Sequence, residues 1–232
     1  GNWVTASKNA IAYFMDPRNF LNTKHAYMFE KLSYDAVNQT QDGVEAILDG
    51  SFMHNNEIGY LTSDGKYKTT NTKYSARIMS AAKESNVSAY YIASKIVQEI
   101  GTAKNVKYAG MGAGGSVNGE YGKNKGIYNF YNIGAYSSSN PIANGLSWAA
   151  SGNTYKRPWN TPMKSINGGA IYIGEKYINC GQNTIYYQRF NVNKASSYGL
   201  YEHQYMTNVS GAASEAAITS SAYENMGIAH LT

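Results

Sequence analysis

The stretch that decides the fold reads Ser88-Ala-Tyr-Tyr-Ile-Ala-Ser-Lys-Ile-Val-Gln-Glu-Ile-Gly101. Its apolar residues recur every three or four positions, at Ala89, Ile92, Ala93, Ile96, Val97 and Ile100. That spacing predicts a helix with one buried face. Ser88 can accept a hydrogen bond from a free amide of the first turn, and Gly101 can adopt the left-handed conformation that ends a helix.

Glu99 lies in the last turn of this predicted helix, between Val97 and Ile100. The helix dipole places partial negative charge there and the neighbours are apolar, so we expect ionising this carboxyl to cost more than in water. A carboxyl that stays protonated near neutral pH is what a general acid requires. The competing interpretation is a solvated surface charge, because most Glu residues lie at the surface.

Further helices are predicted on both sides from apolar spacing and capping residues. They cover residues 5–14, 41–48, 72–84, 161–177 and 210–226, and Asp16-Pro17 is expected to begin another short helix. The helix over residues 72–84 is expected to pack against the Glu99 helix. Gly168-Gly169 should destabilise its helix unless another part of the backbone packs closely there.

Two stretches between these helices are rich in turn residues. Residues 51–70 contain Asn55-Asn56 and Asp64-Gly65, which predict a loop or a small hairpin. Residues 103–128 contain too many glycines for a long helix, and we expect residues 109–125 to be the most mobile part of the domain. The whole pattern predicts an α+β fold, mainly helical, with a small irregular lobe that contains the β-structure.

The composition describes a globular chain with one default domain: 232 residues, of which 43% are hydrophobic and 15% charged. A single cysteine, Cys180, excludes an internal disulfide and a cysteine-based zinc site. The net charge of +5 is spread along the chain rather than clustered, which disfavours nucleic acid as a partner and suits an anionic polymer surface. No run approaches the roughly twenty apolar residues of a membrane helix.

Tyrosine dominates the aromatic residues, with 22 Tyr against 6 Phe and 3 Trp. Tyrosine offers a flat apolar face to a sugar ring and a hydroxyl to its polar rim, although closing the core is the commoner use of any one Tyr. Other chemistries find little support. The four histidines lack the spacing of a zinc peptidase, and the glycine-rich run is not a phosphate-binding loop. A cysteine peptidase pairing Cys180 with His203 is a minor alternative.

A glycine-rich run, Tyr108-Ala-Gly-Met-Gly-Ala-Gly-Gly-Ser-Val-Asn-Gly-Glu-Tyr-Gly122, follows the Glu99 helix and leads to Gly126-Ile-Tyr-Asn-Phe-Tyr-Asn-Ile-Gly-Ala-Tyr136. This order of motifs resembles the bacterial cell-wall N-acetylglucosaminidases of glycoside hydrolase family 73. Further segments also resemble these autolysin domains, namely Gly168-Gly-Ala-Ile-Tyr-Ile-Gly174, Asn179-Cys-Gly-Gln-Asn-Thr-Ile-Tyr186 and His203-Gln-Tyr-Met-Thr-Asn-Val209. The resemblance extends from about Trp3 to about Asn208.

Two positions depart from the pattern of that family. Relatives commonly carry Glu-Thr-Gly or Glu-Ser-Gly where this chain has Glu99-Ile100-Gly101, so a hydroxyl beside the acid is missing here. Relatives also carry a Gly where this chain has Asn132, which puts a bulkier polar side chain at the expected floor of the cleft.

The resemblance implies a lysozyme-like fold in which a helical lobe and a small β-containing lobe surround a cleft. Residues 1–232 would form a single catalytic domain of a larger, exported, multidomain autolysin associated with the cell wall. The expected partner is the glycan strand of peptidoglycan, bound by a monomer that uses neither a cofactor nor a metal and does not insert into the membrane.

The resemblance also implies a set of site residues. Glu99 would be the general acid, Glu120 the second carboxylate, and Tyr186 a cleft tyrosine that holds the substrate acetamido group or the water. The residues expected to bind substrate are Asn129, Tyr131, Tyr136 and Gln182, with Tyr131 and Tyr136 against sugar rings.

The implied reaction is hydrolysis of the β-1,4 bond between N-acetylglucosamine and N-acetylmuramic acid. Retaining, inverting and substrate-assisted routes stay open, because sequence does not give the separation of the two carboxylates. Two other functions also stay open: a muramidase or lytic transglycosylase on the same scaffold, and a non-catalytic wall-binding domain.

Overall fold

The computed structural model describes residues 4–100, 116–136, 139–227 and 229. These residues form helices α1 (Lys8–Met15), α2 (Gln41–Leu48), α3 (Tyr74–Ser85), α4 (Ala89–Ile100), α5 (Pro141–Ala150), α6 (Pro162–Lys176), α7 (Ile185–Phe190) and α8 (Gly211–Asn225). Strands β1 (Glu57–Leu61) and β2 (Tyr67–Lys73) form a two-stranded sheet. Short 3-10 turns cover Pro17–Phe20, Ala26–Phe29, Gly122–Asn124 and Ile178–Cys180. The predicted α+β class, mainly helical, is confirmed.

The chain divides into two compact units. The central unit is Tyr34–Gly174, and the terminal unit combines Gly1–Ser33 with Glu175–Thr232. Helices α2 to α5, nearly all of α6 and both strands lie in the central unit, whereas α1, α7 and α8 lie in the terminal unit. A single catalytic domain over residues 1–232 stays a prediction.

Helix α4 confirms the reasoning from the apolar stripe. The hydroxyl of Ser88 accepts a hydrogen bond from the amide of Tyr91 at 3.3 Å, as expected of an N-cap. Four stripe residues are buried, and through them α4 packs against α2 and α3: Ala89, Ile92, Ala93 and Ile96. Gly43 allows the close approach of α2, because a Cβ atom there would collide with the hydroxyl of Tyr90. Gly101 lies outside the described residues.

The two strands confirm the predicted hairpin. They pair antiparallel, with Gly59 opposite Thr69, and a bulge interrupts the register between Glu57 and Gly59. Gly65 turns the chain with φ +80°, a conformation that favours glycine. This small sheet is the β-structure of the central unit.

Helix α6 shows why two consecutive glycines are tolerated in its interior. A Cβ atom at Gly168 would collide with the carbonyl oxygen of Tyr155 and the indole of Trp159. A Cβ atom at Gly169 would collide with the ring of Tyr131. The close approach that the sequence predicted at this pair is therefore confirmed, and it comes from both backbone and side chains.

Two helices were not predicted from the sequence. Helix α5 begins at Asn140-Pro141, where the side chain of Asn140 accepts from the amide of Ala143 at 3.1 Å. This is the same start signal that identified α6, so it was available in the sequence. Helix α7 has only 6 residues, too few for apolar spacing to reveal.

The terminal unit contains the other predicted helices. Ser7 caps α1, and Asp16 caps the 3-10 turn that begins at Pro17, where a short helix was expected. Helix α8 packs against α7 and against the 3-10 turn Ala26–Phe29. In the described residues, no helix has the length and hydropathy needed to cross a bilayer.

Candidate active site

Glu99 occupies the last turn of α4 and its side chain is exposed. The side-chain amide of Asn132 donates to the backbone carbonyl of Glu99 at 2.8 Å and to its carboxylate oxygen Oε2 at 3.4 Å. The flanking residues Val97 and Ile100 are half-buried. The described part of the central unit thus presents an accessible carboxyl held from one side by an amide.

Asn129 was expected to bind substrate, and the structure corrects this expectation. Its side chain is fully buried and donates to the carbonyl oxygens of Ile133 at 2.9 Å and Gly145 at 3.0 Å. Its Oδ1 accepts from the amide of Ile133 at 3.2 Å. Because these bonds use both ends of the amide, Asn129 fixes the turn that carries Asn132 and is not open to a sugar.

Tyr131 requires a similar correction. Its side chain is only 6% exposed, its ring packs on Gly169, and its hydroxyl donates to the carbonyl of Ile166 at 2.8 Å. Burial raises the pKa of this hydroxyl well above its usual value. A ring enclosed by α6 has no face for a sugar, so Tyr131 anchors the turn to α6.

Tyr136 is exposed to solvent, unlike Tyr131, although both rings were expected to contact sugar rings. Its side chain is 69% exposed. An exposed aromatic ring is available for stacking on a pyranose. Its role as a sugar platform stays a prediction.

Glu120 is exposed and belongs to a turn next to the hairpin. Its amide donates to Oδ1 of Asn118 at 2.9 Å. The preceding Gly119, with φ +71°, packs against the hydroxyl of Tyr128, which in turn bonds the backbone of Leu61 in β1. Burial raises the pKa of Tyr128, and the nearby charge of Glu120 adds to the effect. Glu120 thus lies on the β1 side of the central unit, and its catalytic role stays a prediction.

The loop before Glu120 was expected to be a mobile lid. Residues 101–115 lie outside the described residues. Residues 116–125 form turns and the 3-10 turn Gly122–Asn124. The predicted closure of Glu120 over a sugar is therefore untested.

Tyr186 lies in the terminal unit, at the second position of α7. Its side chain is 8% exposed, and its hydroxyl donates to the carbonyl of Met15 at 2.7 Å. Burial is the main cause that raises the pKa of this hydroxyl. The hydroxyl proton is already used within the protein, so an interaction with substrate would have to use the oxygen lone pairs.

Gln182 also lies in the terminal unit, and the structure corrects its predicted substrate contact. It is fully buried, and its Nε2 donates to the carbonyl oxygens of Tyr187 and His203 at 3.2 and 2.9 Å. Its Oε1 lies 2.8 Å from Nδ1 of His203. Gln182 therefore ties the loop around His203 to the start of α7.

The same contacts bear on the alternative cysteine peptidase. The thiol of Cys180 donates to the carbonyl of Glu175 at 3.0 Å, while Nδ1 of His203 faces Gln182. The ring of His203 is stacked between Tyr177 and Tyr198. The thiol of Cys180 is thus bonded to a backbone carbonyl, and Nδ1 of His203 is bonded to Gln182 rather than to the thiol.

Sequence reasoning missed two features of the central unit. Asn132 appeared only as a departure from the family pattern, because its contact with Glu99 joins residues far apart in the chain. Glu84 pairs with Lys156 and accepts from Asn167, and the bond with Lys156 is the main reason that the pKa of Glu84 is lowered. Within the described ranges, no three acidic, cysteine or histidine side chains gather as a metal site would require.

Comparison with known proteins supports one assignment. No protein-family profile matches the chain. A β-N-acetylglucosaminidase of Bacillus subtilis is 29% identical over 211 residues, which are 89% of this chain and 20% of that protein. A bifunctional autolysin of Staphylococcus aureus is 27% identical over 230 residues, which are 98% of this chain and 16% of that protein. The chain thus spans about a fifth or less of the length of these relatives.

The fold agrees with this assignment. The crystal structure of S. aureus glucosaminidase B superimposes with a TM-score of 0.67 at 27% identity, over 97% of this chain and 75% of that one. The match covers 97% of this chain, so it does not depend on a single motif. The chain is therefore similar in sequence and in fold to autolysin glucosaminidases, the resemblance that its sequence motifs predicted.

Proposed function

We propose that this chain is the catalytic domain of a bacterial cell-wall hydrolase. It cleaves the β-1,4 bond between N-acetylglucosamine and N-acetylmuramic acid in peptidoglycan. The observation that carries the proposal is the accessible carboxyl of Glu99 at the end of α4, in a chain whose relatives are named β-N-acetylglucosaminidase and bifunctional autolysin. The domain acts outside the cell on the wall, as a monomer and without a cofactor.

Glu99 is the general acid of the proposed reaction. It donates its proton to the glycosidic oxygen while the bond to C1 of N-acetylglucosamine breaks, and the leaving sugar departs as an alcohol. The amide of Asn132 supports this role, because an N–H donor stabilises the carboxylate that proton transfer leaves behind. The developing charge on the sugar ring then requires a second group.

Glu120 is the proposed second group. An ionised carboxylate can activate water, attack C1, or steady the positive charge of the transition state. In a substrate-assisted route the 2-acetamido carbonyl of the sugar attacks C1, and Glu120 orients that group. Its exposed position in a turn beside β1 is compatible with each role.

Fewer of the predicted residues are placed to contact substrate than the sequence suggested. Tyr136 keeps its proposed role as a platform for a sugar ring, because its ring is open to solvent. Asn129, Tyr131 and Gln182 support the backbone around the proposed site residues instead. Tyr186 would contribute its hydroxyl oxygen as an acceptor.

Mass spectrometry of digested wall tests the proposal. Purified chain is incubated with peptidoglycan sacculi, and the soluble products are reduced with borohydride before analysis. A glucosaminidase leaves reduced N-acetylglucosamine at the product ends. Reduced N-acetylmuramic acid would indicate a muramidase, and anhydromuramic ends would indicate a lytic transglycosylase. Binding to the wall without release of soluble products would indicate a non-catalytic domain.

A further inference from the structure

We propose that Asn132 is a positioning residue for Glu99. Its side-chain amide holds both the end of α4 and the carboxyl that this end carries. The inference rests on the proposed function, since it concerns the acid of that reaction. Separate variants of Glu99 and Asn132 let the two fail separately.

The Asn132 amide satisfies a carbonyl oxygen at the end of helix α4. The last four carbonyl oxygens of a helix have no partner within the helix, so helix ends fray unless other groups bind them. The carbonyl of Glu99 is one of these, and it accepts from Nδ2 of Asn132 at 2.8 Å. This bond fixes the backbone from which the Glu99 side chain extends.

The Asn132 amide also reaches the carboxyl of Glu99. The same Nδ2 lies 3.4 Å from Oε2 of Glu99. A side-chain amide nitrogen carries two N–H groups, so one Asn can serve the carbonyl and the carboxylate together. Bridging the backbone and side chain of one residue restricts the rotamers of that residue. Glu99 is otherwise exposed, and a freely rotating acid would seldom point at the glycosidic oxygen.

The backbone of Asn132 suits an asparagine. Its φ is +49°, in the left-handed region that most L-residues avoid and that Gly, Asn and Asp tolerate. Of these three residues, only Asn carries a side-chain N–H group to the end of α4. The local conformation therefore permits asparagine, and the hydrogen bonds require its side-chain amide.

The turn around Asn132 is firmly held by bonds to α5 and α6. Buried Asn129 bonds Ile133 and Gly145, which joins the turn to α5. The hydroxyl of Tyr131 bonds Ile166 in α6, and the carbonyl of Asn132 accepts from the amide of Ala135 at 3.0 Å. The side-chain amide of Asn132 thus connects α4 to a turn that is itself held by fixed partners, as a positioning residue requires.

The test is the kinetics of Asn132→Gly on soluble, end-labelled glycan strands of peptidoglycan. Glycine tolerates the left-handed backbone, so the substitution removes the amide and little else. We expect kcat to fall about tenfold, equivalent to ~1.4 kcal/mol of transition-state stabilisation. KM should stay within about twofold, because ground-state binding of the glycan is not altered.

Asn132→Asp is the second variant, and it matters if the glycine variant unfolds. Aspartate has the size of asparagine and tolerates the same backbone, but at neutral pH it offers acceptors in place of the N–H donor. Its charge also opposes formation of the Glu99 carboxylate during proton transfer. We expect kcat to fall at least as far as in Asn132→Gly.

Asn86→Gly is the matched control. Asn86 also has a left-handed conformation, with φ +55°, at the C-terminal end of α3. Its replacement makes the same chemical change at a helix end that does not carry the proposed acid. We expect wild-type kcat in this variant.

Several results would overturn the inference. Wild-type kcat in Asn132→Gly or Asn132→Asp would show that the amide is not needed. A raised KM with unchanged kcat would make Asn132 a substrate-binding residue, and an equal fall of kcat in Asn86→Gly would make the effect structural. Glu99→Gln separates the two proposals. Substantial turnover by Glu99→Gln would contradict the proposal that Glu99 is the general acid. If Glu99→Gln is inactive but Asn132→Gly is fully active, only the positioning role of Asn132 is contradicted.

Discussion

Replacing Glu30 by Gln should make the protein more stable at alkaline pH. Glu30 directly follows the 3-10 turn Ala26–Phe29 of the terminal unit, and its carboxylate accepts from the hydroxyl of Tyr223 at 3.4 Å. Burial raises the pKa of Glu30 from 4.5 to about 7, and the bond from Tyr223 offsets only part of this. The folded protein therefore favours the protonated, uncharged carboxyl.

The magnitude follows from linkage between protonation and folding. The gap between 4.5 and about 7 corresponds, at ~1.4 kcal/mol per pKa unit, to about 3 kcal/mol. Because the folded-state pKa of this acid is raised, the contribution of Glu30 to the free energy of unfolding is most favourable below pH 4.5. That contribution is lost as the pH rises to about 7. Glu30 also borders a cavity of about 450 Å³, so solvent access makes about 3 kcal/mol an upper bound.

Urea unfolding, followed by circular dichroism at a series of pH values, measures this effect. Glu30→Gln keeps the shape of the side chain but cannot ionise. The variant should match the wild type near pH 4 and exceed it by up to about 3 kcal/mol at pH 8. Glu224→Gln is a suitable control, because Glu224 borders the same cavity but is exposed. A stability difference between wild type and Glu30→Gln that does not change with pH would contradict the raised pKa of Glu30.

Two other predictions concern α6 and the second carboxylate. Gly169→Ala should lower the free energy of unfolding by about 1–3 kcal/mol in the same urea titration, because the new Cβ collides with the ring of Tyr131. Gly199→Ala is the control and should have little effect, because its Cβ meets only the flexible end of Glu202. Glu120→Gln should flatten the acid limb of a bell-shaped pH–rate profile and leave the alkaline limb in place. A lower rate with an unchanged profile would instead indicate that Glu120 orients the acetamido group, and an unchanged rate would remove it from the mechanism.

The helices were largely predictable because their signals are local. The apolar stripe of α4, the cap at Ser88 and the start of α6 depend on residues within a few positions of each other. The similarity to autolysin glucosaminidases was predictable for a related reason, since the motifs around Glu99 and Tyr136 are continuous in sequence. The sequence prediction for residues 101–115 has no structural counterpart to compare with, since these residues lie outside the described residues.

The site residues were harder to predict because burial is decided by distant segments. Tyr131 and Tyr136 belong to one motif, yet α6 encloses the first ring and leaves the second in solvent. Asn129 and Gln182 have the polar groups of a binding residue, but most of their partners are backbone atoms of nearby loops and helices, and Gln182 also bonds the ring of His203. The bond between Asn132 and Glu99 joins positions 33 residues apart, which no local pattern reveals.

We propose that Glu99 is the acid that breaks the glycosidic bond, and Glu99→Gln in the wall-digestion assay is the decisive experiment for this role. The variant keeps the size of the side chain and can still accept from Asn132, so fold and wall binding should persist by circular dichroism and co-sedimentation with sacculi. We predict that release of products with N-acetylglucosamine at the reducing end falls by about 10²–10⁴-fold or more. Turnover within about tenfold of the wild type, in a folded and wall-binding variant, would contradict the assignment.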